Sequence, residues 1–588
     1  MAFVTASKNL FTLKAYVGDN KTLLVFNFAN QGAAKNLAGF TISCQPPGQA
    51  PYYLFNELQF EDPSKHAQIP TEQPNSTANA PIQKYRWTHV PGTNHQGLNP
   101  AVGNYRYTVT PRFFDASQAM KPLDGSLSAS VTVPVGPFKK DSLTLGFTRG
   151  YMQSEAYAHH FGKTTPIQPA GKPLQFNTSA QAGTNNGQVV TYAEIYAWMG
   201  FTARQQIFAV LNSVLNDQSL HLDMFAYDLD EPDIVKILLQ LAAQGRVSII
   251  LDNSKDHHNT SNSKPEDQFT TLFTQQAKAP AVIERGCFNR YSHDKILIVS
   301  KNGSPMQVLT GATNFSVSGL YVNANHVLFF DDATVAKQYA EVFAESWKVL
   351  KLFPKQSAKA AAAFAGTPLA KTPFDDHPPT VPQVSVTFAP HTEPDAMNIL
   401  NALVARIEKE GKTTNGSVLF AVMQLTGGTN PVYDALNDAH ATESFFSYGI
   451  SDEPKGIYLY SPRSKAGVLV TSRPSKVTLP PPFGQVPSPP GHEIHDKFVV
   501  CGLNGTDPVV YCGSSNLATG GEEANGDNLL EIHDADVATA FAIEALLLVD
   551  HYAFLDRCAS PKKPKPAPKT PVKKAPAKKG SVKKKPGN

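Results

Sequence analysis

Two segments of the chain align with each other without a gap: YSHDKILIVSKNGSPMQVLTGATNFSVSGLYVNANHVLFFDD at residues 291–332 and EIHDKFVVCGLNGTDPVVYCGSSNLATGGEEANGDNLLEIHD at residues 493–534. The offset between the copies is 202 residues throughout, and 12 of the 40 positions from His293 to Asp332 are identical. The identities are concentrated at polar and glycine positions, whereas a repeat retained only for packing would preferentially keep its apolar ones. This distribution indicates a retained site.

Each copy contains a His-x-Lys triplet in a run of residues typical of a strand. Residues i and i+2 of a strand face the same side, so His293 and Lys295 are predicted to project together, as are His495 and Lys497. The aspartate inside each triplet is expected to point away. A single triplet of this kind is more often a surface or core histidine, but two copies in identical register favour a functional interpretation.

An Asn-Gly pair follows each triplet at the same distance, at residues 302–303 and 504–505. This dipeptide is a strong signal for a β-hairpin. Each hairpin is expected to return the chain so that a Gly-x-x-Asn segment, which ends at Asn314 in the first copy and at Asn516 in the second, lies beside the triplet. The repeat therefore predicts that each copy brings a histidine, a lysine and an amide to one surface.

A His-x-Lys triplet followed by Gly-Ser-x-Asn, present twice in one chain, resembles the phospholipase D superfamily over about residues 140–555. The resemblance implies a pseudo-twofold α/β/α arrangement in which both motifs meet at the interface. It also implies that one histidine attacks phosphorus to give a covalent phosphohistidine, while the other protonates the leaving group and then activates water. The site residues assigned in this way are His293, Lys295, Asn314, His495, Lys497, Ser514, Asn516 and Asp527.

The chemistry of these side chains agrees with that mechanism. Histidine can act as a nucleophile and as a general acid or base near neutral pH. Lysine and asparagine side chains around the nonbridging phosphoryl oxygens would stabilise the charge that develops there, so the sequence predicts a mechanism that uses no metal and no other cofactor. Zinc binding by the two histidines is disfavoured, because no Cys or carboxylate cluster accompanies them and the five cysteines form no CxxC pair.

Two motif positions depart from the family pattern. An aspartate usually stands five residues after the lysine, and here those positions are Ser300 and Gly502. In the first copy Ala312 replaces the serine of Gly-Ser-x-Asn, so only Ser514 keeps that hydroxyl, although the neighbouring Thr313 offers another. These departures put the support of the loop after each triplet in question.

A third departure makes the two copies unequal. The acidic residue that commonly follows the motif and orients a histidine is Asp527 in the second copy, but Asn325 occupies the equivalent position in the first. A carboxylate bonded to one imidazole nitrogen raises the basicity of the other, so local sequence favours His495 with Asp527 as base or nucleophile. The family pattern often gives the nucleophile to the first histidine, which would be His293. The assignment stays open at this point.

Hydrophobic periodicity predicts an all-β region followed by strands that alternate with helices. The N-terminal runs alternate polar and apolar residues, as in an antiparallel β-sandwich, and no catalytic residue pattern occurs there. The predicted organisation is a β-sandwich-like N-terminal domain at 1–137, a first phospholipase D-like half at 138–352, a linker rich in Ala, Pro and Lys at 353–383, a second phospholipase D-like half at 384–558, and a disordered tail rich in Lys, Pro and Ala at 559–588.

The net charge of +3 is distributed unevenly, because the segment from Ser560 to Asn588 contains 11 lysines and no acidic residue, and the rest of the chain carries about −8. This tail is expected to be disordered and to bind polyanions. The N-terminus lacks the pattern of a signal peptide, and no apolar run approaches the ~18 residues of a transmembrane helix. A cytoplasmic protein is expected, or one exported without a classical signal peptide, and not a transmembrane one.

Three functions are compatible with the motifs: a lipid phosphodiesterase, a nuclease, and a scaffold of reduced activity that only binds phosphodiesters. Two fused halves with a long insertion before the second motif, at residues 472–493, resemble the lipid-active members of the family. A phospholipid or membrane surface, bound peripherally, is therefore favoured over nucleic acid as the partner, and hydrolysis of phospholipids by a monomer is the leading interpretation. The basic tail would suit either polyanion.

Overall fold

The structure, a computed structural model, describes residues 3–150, 154–376, 378–425, 430–439, 446–452, 457–461, 464–470 and 494–558. The basic tail and the insertion at 472–493 lie outside the described residues. The described chain has a mixed α/β fold preceded by an N-terminal region of sheets. No helix in these ranges is long and apolar enough to cross a membrane.

The N-terminal region consists of two four-stranded antiparallel sheets. The strands are β1 (Phe3–Lys8), β2 (Phe11–Val17), β3 (Thr22–Phe28), β4 (Leu37–Gln45), β5 (Tyr52–Tyr53), β6 (Arg86–His89), β7 (Gly103–Phe113) and β8 (Ala129–Val135). The strand orders are β1-β2-β3-β6 in one sheet and β5-β4-β7-β8 in the other. Alternate residues of β2, β3, β4, β7 and β8 face a shared core. Phe40 of one sheet, for example, lies 4.6 Å from Phe26 of the other, measured between ring centroids. The two sheets thus face each other across one apolar layer.

Polar contacts join this region to the α/β part. Asp19 is buried and accepts hydrogen bonds from the backbone N–H groups of Phe138 (3.1 Å) and Phe147 (3.2 Å). Lys21 forms a buried ion pair with Glu544 near the end of the chain. A buried pair of this kind is costly to break, because each charge would be left without a partner. The N-terminal sheets therefore pack firmly on the rest of the molecule.

The first α/β unit is built on an eight-stranded sheet. Its elements are β9 (Phe138–Lys140), β10 (Leu143–Phe147), α1 (Ser154–Phe161), β11 (Gln181–Asn185), β12 (Gln188–Thr191), α2 (Tyr192–Asn216), β13 (Leu220–Ala226), α3 (Pro232–Ala243), β14 (Val247–Asp252), α4 (Pro265–Gln276), β15 (Val282–Gly286), β16 (Tyr291–Ser292), β17 (Ile296–Lys301), β18 (Ser304–Gly311), α5 (Val317–Tyr321), β19 (His326–Phe330) and α6 (Ala333–Leu352). The sheet order is β15-β14-β13-β17-β18-β19-β10-β9. Strands β13, β14 and β15 run parallel, whereas β17, β18 and β19 are antiparallel to their neighbours.

Residues 353–383, which their composition predicts to be a linker, contain regular secondary structure. They contain the short helices α7 (Ser357–Ala365) and α8 (Pro368–Lys371), followed by the strand β20 (Phe374–Asp376). Ala360 and Phe364 of α7 are fully buried in the main core. An Ala-rich run has high helix propensity, and an apolar face that packs on the core stabilises a helix that would be too short to persist alone.

The second α/β unit repeats the central part of the first sheet. Its elements are β21 (Gln383–Ala389), α9 (Glu393–Lys412), β22 (Ser417–Val422), α10 (Pro431–Ala439), β23 (Phe446–Ser451), β24 (Ile457–Ser461), β25 (Ser464–Val470), β26 (Lys497–Cys501), β27 (Val509–Gly513), α11 (Thr519–Ala524), β28 (Asn525–His533) and α12 (Ala535–Cys558). The sheet order is β20-β21-β28-β27-β26-β22-β23. The order β22-β26-β27-β28-β21 therefore matches β13-β17-β18-β19-β10 of the first unit.

The hairpin prediction is confirmed in both copies, since β17 pairs antiparallel with β18 and β26 with β27, but the tight Asn-Gly turn occurs only in the first. Asn302 and Gly303 have φ angles of 53° and 81° and form the two-residue turn between β17 and β18. In the second copy β26 ends at Cys501, and Gly502, with φ of 69°, leaves the strand early. The backbone of Gly502 donates to Ser417 O at 2.9 Å, so a longer loop replaces the tight turn expected at residues 504–505. This contact also supports the loop in which the family's aspartate is missing.

Candidate active site

The two His-x-Lys triplets meet because the chain crosses between the two sheets just before each of them. Strand β16, which ends one residue before His293, pairs in parallel with β28 of the second sheet. The His293 N–H then donates to Gly526 O at 2.8 Å. Reciprocally, the His495 N–H donates to Ala324 O at 3.1 Å. Each triplet is thus anchored by the backbone of the opposite copy. It lies at the entrance to its strand, and not within the strand as the sequence predicts.

Each histidine is oriented by a side chain of the opposite copy. His293 Nδ1 lies 2.7 Å from Asp527 Oδ1, and His495 Nδ1 lies 2.9 Å from Asn325 Oδ1. The local inference that Asp527 supports His495 is therefore wrong. Asp527 follows the second motif in sequence, but the crossing between the sheets brings it to the first histidine.

The hydrogen bonds of Asn325 and Asp527 determine that each histidine ring carries a proton on Nδ1. Asn325 donates its amide N–H to Gly319 O at 2.9 Å, so its Oδ1 faces His495 and accepts the Nδ1–H of that ring. A carboxylate can only accept, so His293 also carries its proton on Nδ1. In both rings the orienting contact therefore engages Nδ1.

Burial and charge set the ionisation of the His293 side of the site. Burial lowers the pKa of His293 to about 4, against the opposing effect of the Asp527 carboxylate. Burial also favours the neutral form of Asp527, but the nearby His293 and Lys295 hold its pKa below the usual value. The pair is therefore a neutral imidazole beside a carboxylate, which is the form suited to a nucleophile.

The two motif lysines are buried and close enough to repel each other. Burial lowers the pKa of Lys295 to about 8, and burial together with the charge of Lys295 lowers the pKa of Lys497 well below its usual value. Lys497 Nζ donates to His495 O at 2.6 Å, and Lys295 Nζ contacts His293 O. An anion placed between these ammonium groups would favour their charged forms, so this surface is suited to bind a phosphodiester.

The aspartates inside the triplets, to which sequence analysis gave no role, hold the two copies together. Asp294 Oδ1 accepts from Asn528 Nδ2 at 2.6 Å, and Asp496 Oδ1 lies 2.7 Å from His326 Nδ1. All four side chains are buried. The signal that would have found them is the identity of the His-Asp-Lys triplet in both copies, which packing alone does not require.

The hydroxyl groups of the motif support the scaffold. Ser514 Oγ accepts from Asn528 N at 3.0 Å, and Thr313 Oγ1 donates to His326 O at 2.9 Å. Ser514 also lowers the pKa of Asp527 through a hydrogen bond. The Thr313 hydroxyl is therefore bonded to the backbone and does not replace the missing serine as a phosphate-binding group. Ser514 supports Asn528 and Asp527, and Asp527 in turn orients His293.

The motif glycines and asparagines are also equivalent in the two copies. Gly311 and Gly513 have φ of 138° and 142°, and a Cβ atom at either would lie 2.5 Å or less from a backbone oxygen of the neighbouring strand. Only glycine allows this approach. The Oδ1 atoms of Asn314 and Asn516 are buried and have no hydrogen-bond partner among the described residues. A bond from these amides to the motif histidines or lysines is therefore not part of the described structure.

Comparison with known proteins gives a family match for the first copy of the repeat. A family model described as "Cardiolipin synthase, PLD-like domain" matches residues 212–347, which include the first triplet and Asn314. No curated protein matches the sequence significantly.

Three solved structures have weak similarity to the chain. Phosphatidylserine synthase from Haemophilus influenzae is 11% identical, with a TM-score of 0.41, over 60% of this chain and 87% of the other. The phospholipase D family member Nuc from Salmonella typhimurium is 19% identical, with a TM-score of 0.20, over 24% of this chain and 86% of the other. Polyphosphate kinase from Porphyromonas gingivalis is 13% identical, with a TM-score of 0.37, over 58% of this chain and only 46% of the other. Similarities at these TM-scores carry no argument about function.

The family model and the two motifs point to the same conclusion. The model covers the first copy of the repeat, and the second copy carries the same triplet at an offset of 202 residues. The match of residues 212–347, together with the repeated motifs, supports membership in the phospholipase D superfamily.

Proposed function

We propose that the two α/β units are halves related by pseudo-twofold symmetry, and that they form one active site that hydrolyses phosphodiesters through a phosphohistidine. The observation that carries the proposal is the reciprocity of the contacts across the interface. The backbone anchors of the histidines, their orienting side chains and the bonds of the triplet aspartates each occur twice, with the partners exchanged by the same 202-residue offset. A packing interface without a site has no need for such matched polar pairs.

In the proposed mechanism His293 is the nucleophile. Its Nε2 attacks phosphorus, the P–N bond forms, and the bond from phosphorus to the leaving oxygen breaks. Asp527 stabilises the positive charge that the ring acquires. Lys295 and Lys497 stabilise the charge on the nonbridging oxygens.

His495 in its imidazolium form, with a second proton on Nε2, is the proposed general acid. Its partner Asn325 is neutral, so His495 gives up a proton more readily than a ring held by a carboxylate. It protonates the leaving oxygen in the first step. In the second step it takes a proton from water, which attacks phosphorus and breaks the P–N bond, and free His293 is restored. The products are a phosphomonoester and an alcohol.

A phospholipid is the proposed substrate. The matched family model carries the description of a lipid-synthesising enzyme, and the fusion of two halves with a long insertion before the second motif is typical of lipid-active relatives. Turnover of bis(p-nitrophenyl) phosphate should therefore be accompanied by release of the headgroup from phosphatidylcholine vesicles, with plasmid DNA left intact. Cleavage of DNA alone would make the chain a nuclease. Binding of all three without turnover would make it a scaffold.

Chelation is expected to leave turnover of bis(p-nitrophenyl) phosphate within ~2-fold of the untreated protein, because lysines supply the charge stabilisation that a metal would otherwise provide. The assay compares initial rates with and without EDTA, well below the unfolding temperature. A zinc-dependent phosphodiesterase in the same buffer is the control for effective chelation. Loss of activity that added zinc or magnesium restores would contradict the metal-independent mechanism.

The basic tail is the one feature that favours nucleic acid as a second candidate substrate. Helix α12, the last described element, ends at Cys558, so truncation after Ala559 should leave turnover of the small diester unchanged. It should weaken binding to plasmid DNA or anionic vesicles at low salt, and the difference should vanish near ~0.5 M salt, where the Debye length is a few ångströms. Binding of both forms is measured across a salt series. Equal loss of small-diester activity would show that the tail belongs to the catalytic unit.

A further inference from the structure

A second group of ionisable side chains lies next to the histidine site. Asp228, His257 and Glu266 each offer one ligand atom, and these atoms all lie within 4.8 Å of one another. Asp228 follows the end of β13, His257 lies in the loop after β14, and Glu266 is in the first turn of α4. The group therefore lies at the carboxyl ends of two adjacent parallel strands, which is the edge where α/β sheets commonly bind ligands.

The His257 ring is held in the orientation that metal-binding histidines adopt. Its Nδ1 donates to Asp252 Oδ2 at 2.9 Å, which leaves Nε2 as the ligand nitrogen. Asp252 is fully buried and is itself fixed by the backbone N–H groups of Ser292 (2.6 Å) and Ser254 (2.9 Å). A carboxylate that fixes the tautomer and raises the basicity of a histidine is the usual outer support of a metal ligand.

Glu266 has an oxygen atom without a partner. The side chain is 1% exposed; its Oε1 accepts from Leu229 N at 3.1 Å, but its Oε2 is buried and has no hydrogen-bond partner among the described residues. The neighbouring Arg285 does not fill this role, because it pairs with Asp267 at 3.2 Å and donates to backbone oxygens, including Asp252 O at 3.0 Å. A buried carboxylate oxygen without a partner is costly, so a ligand that pairs with it would stabilise the folded protein.

We propose that Asp228, His257 and Glu266 bind a divalent transition-metal cation of the Zn²⁺ or Mn²⁺ type, with water in the remaining positions. One imidazole and two carboxylates are a donor set that suits these ions, whereas Ca²⁺ and Mg²⁺ prefer oxygen ligands alone. The two carboxylates balance the charge of the cation. The cation also gives Glu266 Oε2 the partner that the protein does not supply.

The proposed cation site is separate from the phosphodiester site, but the Tyr227 side chain contacts both. The Tyr227 ring lies between the two sites, with its centroid 4.3 Å from the His257 ring and 4.7 Å from the His293 ring. Lys295 Nζ lies 4.8 Å from the same centroid. A cation on Asp228 would fix the segment that carries Tyr227. Its role is therefore structural, and no step of the phosphodiester reaction passes through it.

Metal binding tests the proposal directly. The full-length protein is stripped with EDTA, dialysed and titrated with Zn²⁺ or Mn²⁺ by calorimetry, and its thermal unfolding is followed in parallel. We expect one ion per chain and a higher unfolding temperature, because a ligand that binds only the folded state stabilises it. His257→Gln, Glu266→Gln and Asp228→Asn should each weaken binding by at least ~10²-fold. His258→Gln is the matched control, since this adjacent histidine bonds to Asp267 at 2.8 Å and lies outside the group.

The stripped variants provide a second measurement. Glu266→Gln keeps the acceptor for Leu229 N but removes a carboxylate ligand, so added metal should no longer raise its unfolding temperature. That result would also show that the variant folds. The partly exposed Asp228 gives a further variant with little risk to the core. The proposal is overturned if the wild type binds neither ion, or if Glu266→Gln and Asp228→Asn bind as tightly as His258→Gln.

Discussion

His293→Asn and His495→Asn are each expected to lower the kcat for bis(p-nitrophenyl) phosphate by at least ~10³-fold, or about 4 kcal/mol in the barrier of the slowest step. The reason is that one ring must form a bond to phosphorus and the other must move protons, and neither can replace the other across the interface. Asparagine fills part of the volume of the imidazole ring and keeps a polar group at the site, so both variants should still fold. Initial-rate kinetics on purified variants provide the measurement.

The two histidine variants should differ in what they accumulate. The p-nitrophenolate group leaves without help from an acid, so His495→Asn should still form the phosphohistidine but hydrolyse it slowly. A denaturation-resistant, acid-labile phosphoenzyme should therefore be trapped from His495→Asn and not from His293→Asn. The half-exposed His221 offers a matched control, and His221→Asn should retain activity. Trapping from His293→Asn alone would reverse the assigned roles, and near-normal activity of either variant would contradict a composite site.

Asp527→Asn is expected to lower kcat by about 10²- to 10⁴-fold. The carboxylate is 2.7 Å from His293 Nδ1, where it sets the tautomer and stabilises the charge that the ring gains when Nε2 attacks phosphorus. An amide at this position supplies neither a negative charge nor a fixed acceptor, because its NH₂ group can face the ring and impose the other tautomer. The loss should appear in kcat more than in KM, since the lysines that bind the phosphate are unchanged.

Asn325→Asp is the matched change at the equivalent position of the other copy. It places a carboxylate beside His495, which strengthens the hold of that ring on its proton and should slow the acid step by only about 10-fold. The effect should be greatest with a poor leaving group and small with p-nitrophenolate. If Asn325→Asp abolished turnover while Asp527→Asn left it nearly unchanged, the roles proposed for the two histidines would have to be exchanged.

Local pattern was enough to find the motifs and the class of fold. The 202-residue repeat, the His-x-Lys triplets, the turn at Asn302-Gly303 and the change from alternating to helical periodicity are visible in the sequence because each depends on residues close together in the chain. The same elements occur in the structure at matching positions of the two copies, as in α5 and α11 or β19 and β28. Sequence similarity at the motifs is also what supports membership in the phospholipase D superfamily.

The partners of the motif residues were decided by tertiary structure alone. Asp527 follows the second motif, and nothing in the spacing indicates that it lies beside His293, 234 positions earlier. That contact exists because β16 leaves its own unit to pair with β28, and such pairing depends on how two sheets pack, not on propensity. The cluster around Glu266 likewise combines side chains from separate elements of the sheet and its helices. Local order follows from nearby residues, whereas the choice of partner across an interface follows from which buried polar groups can satisfy one another.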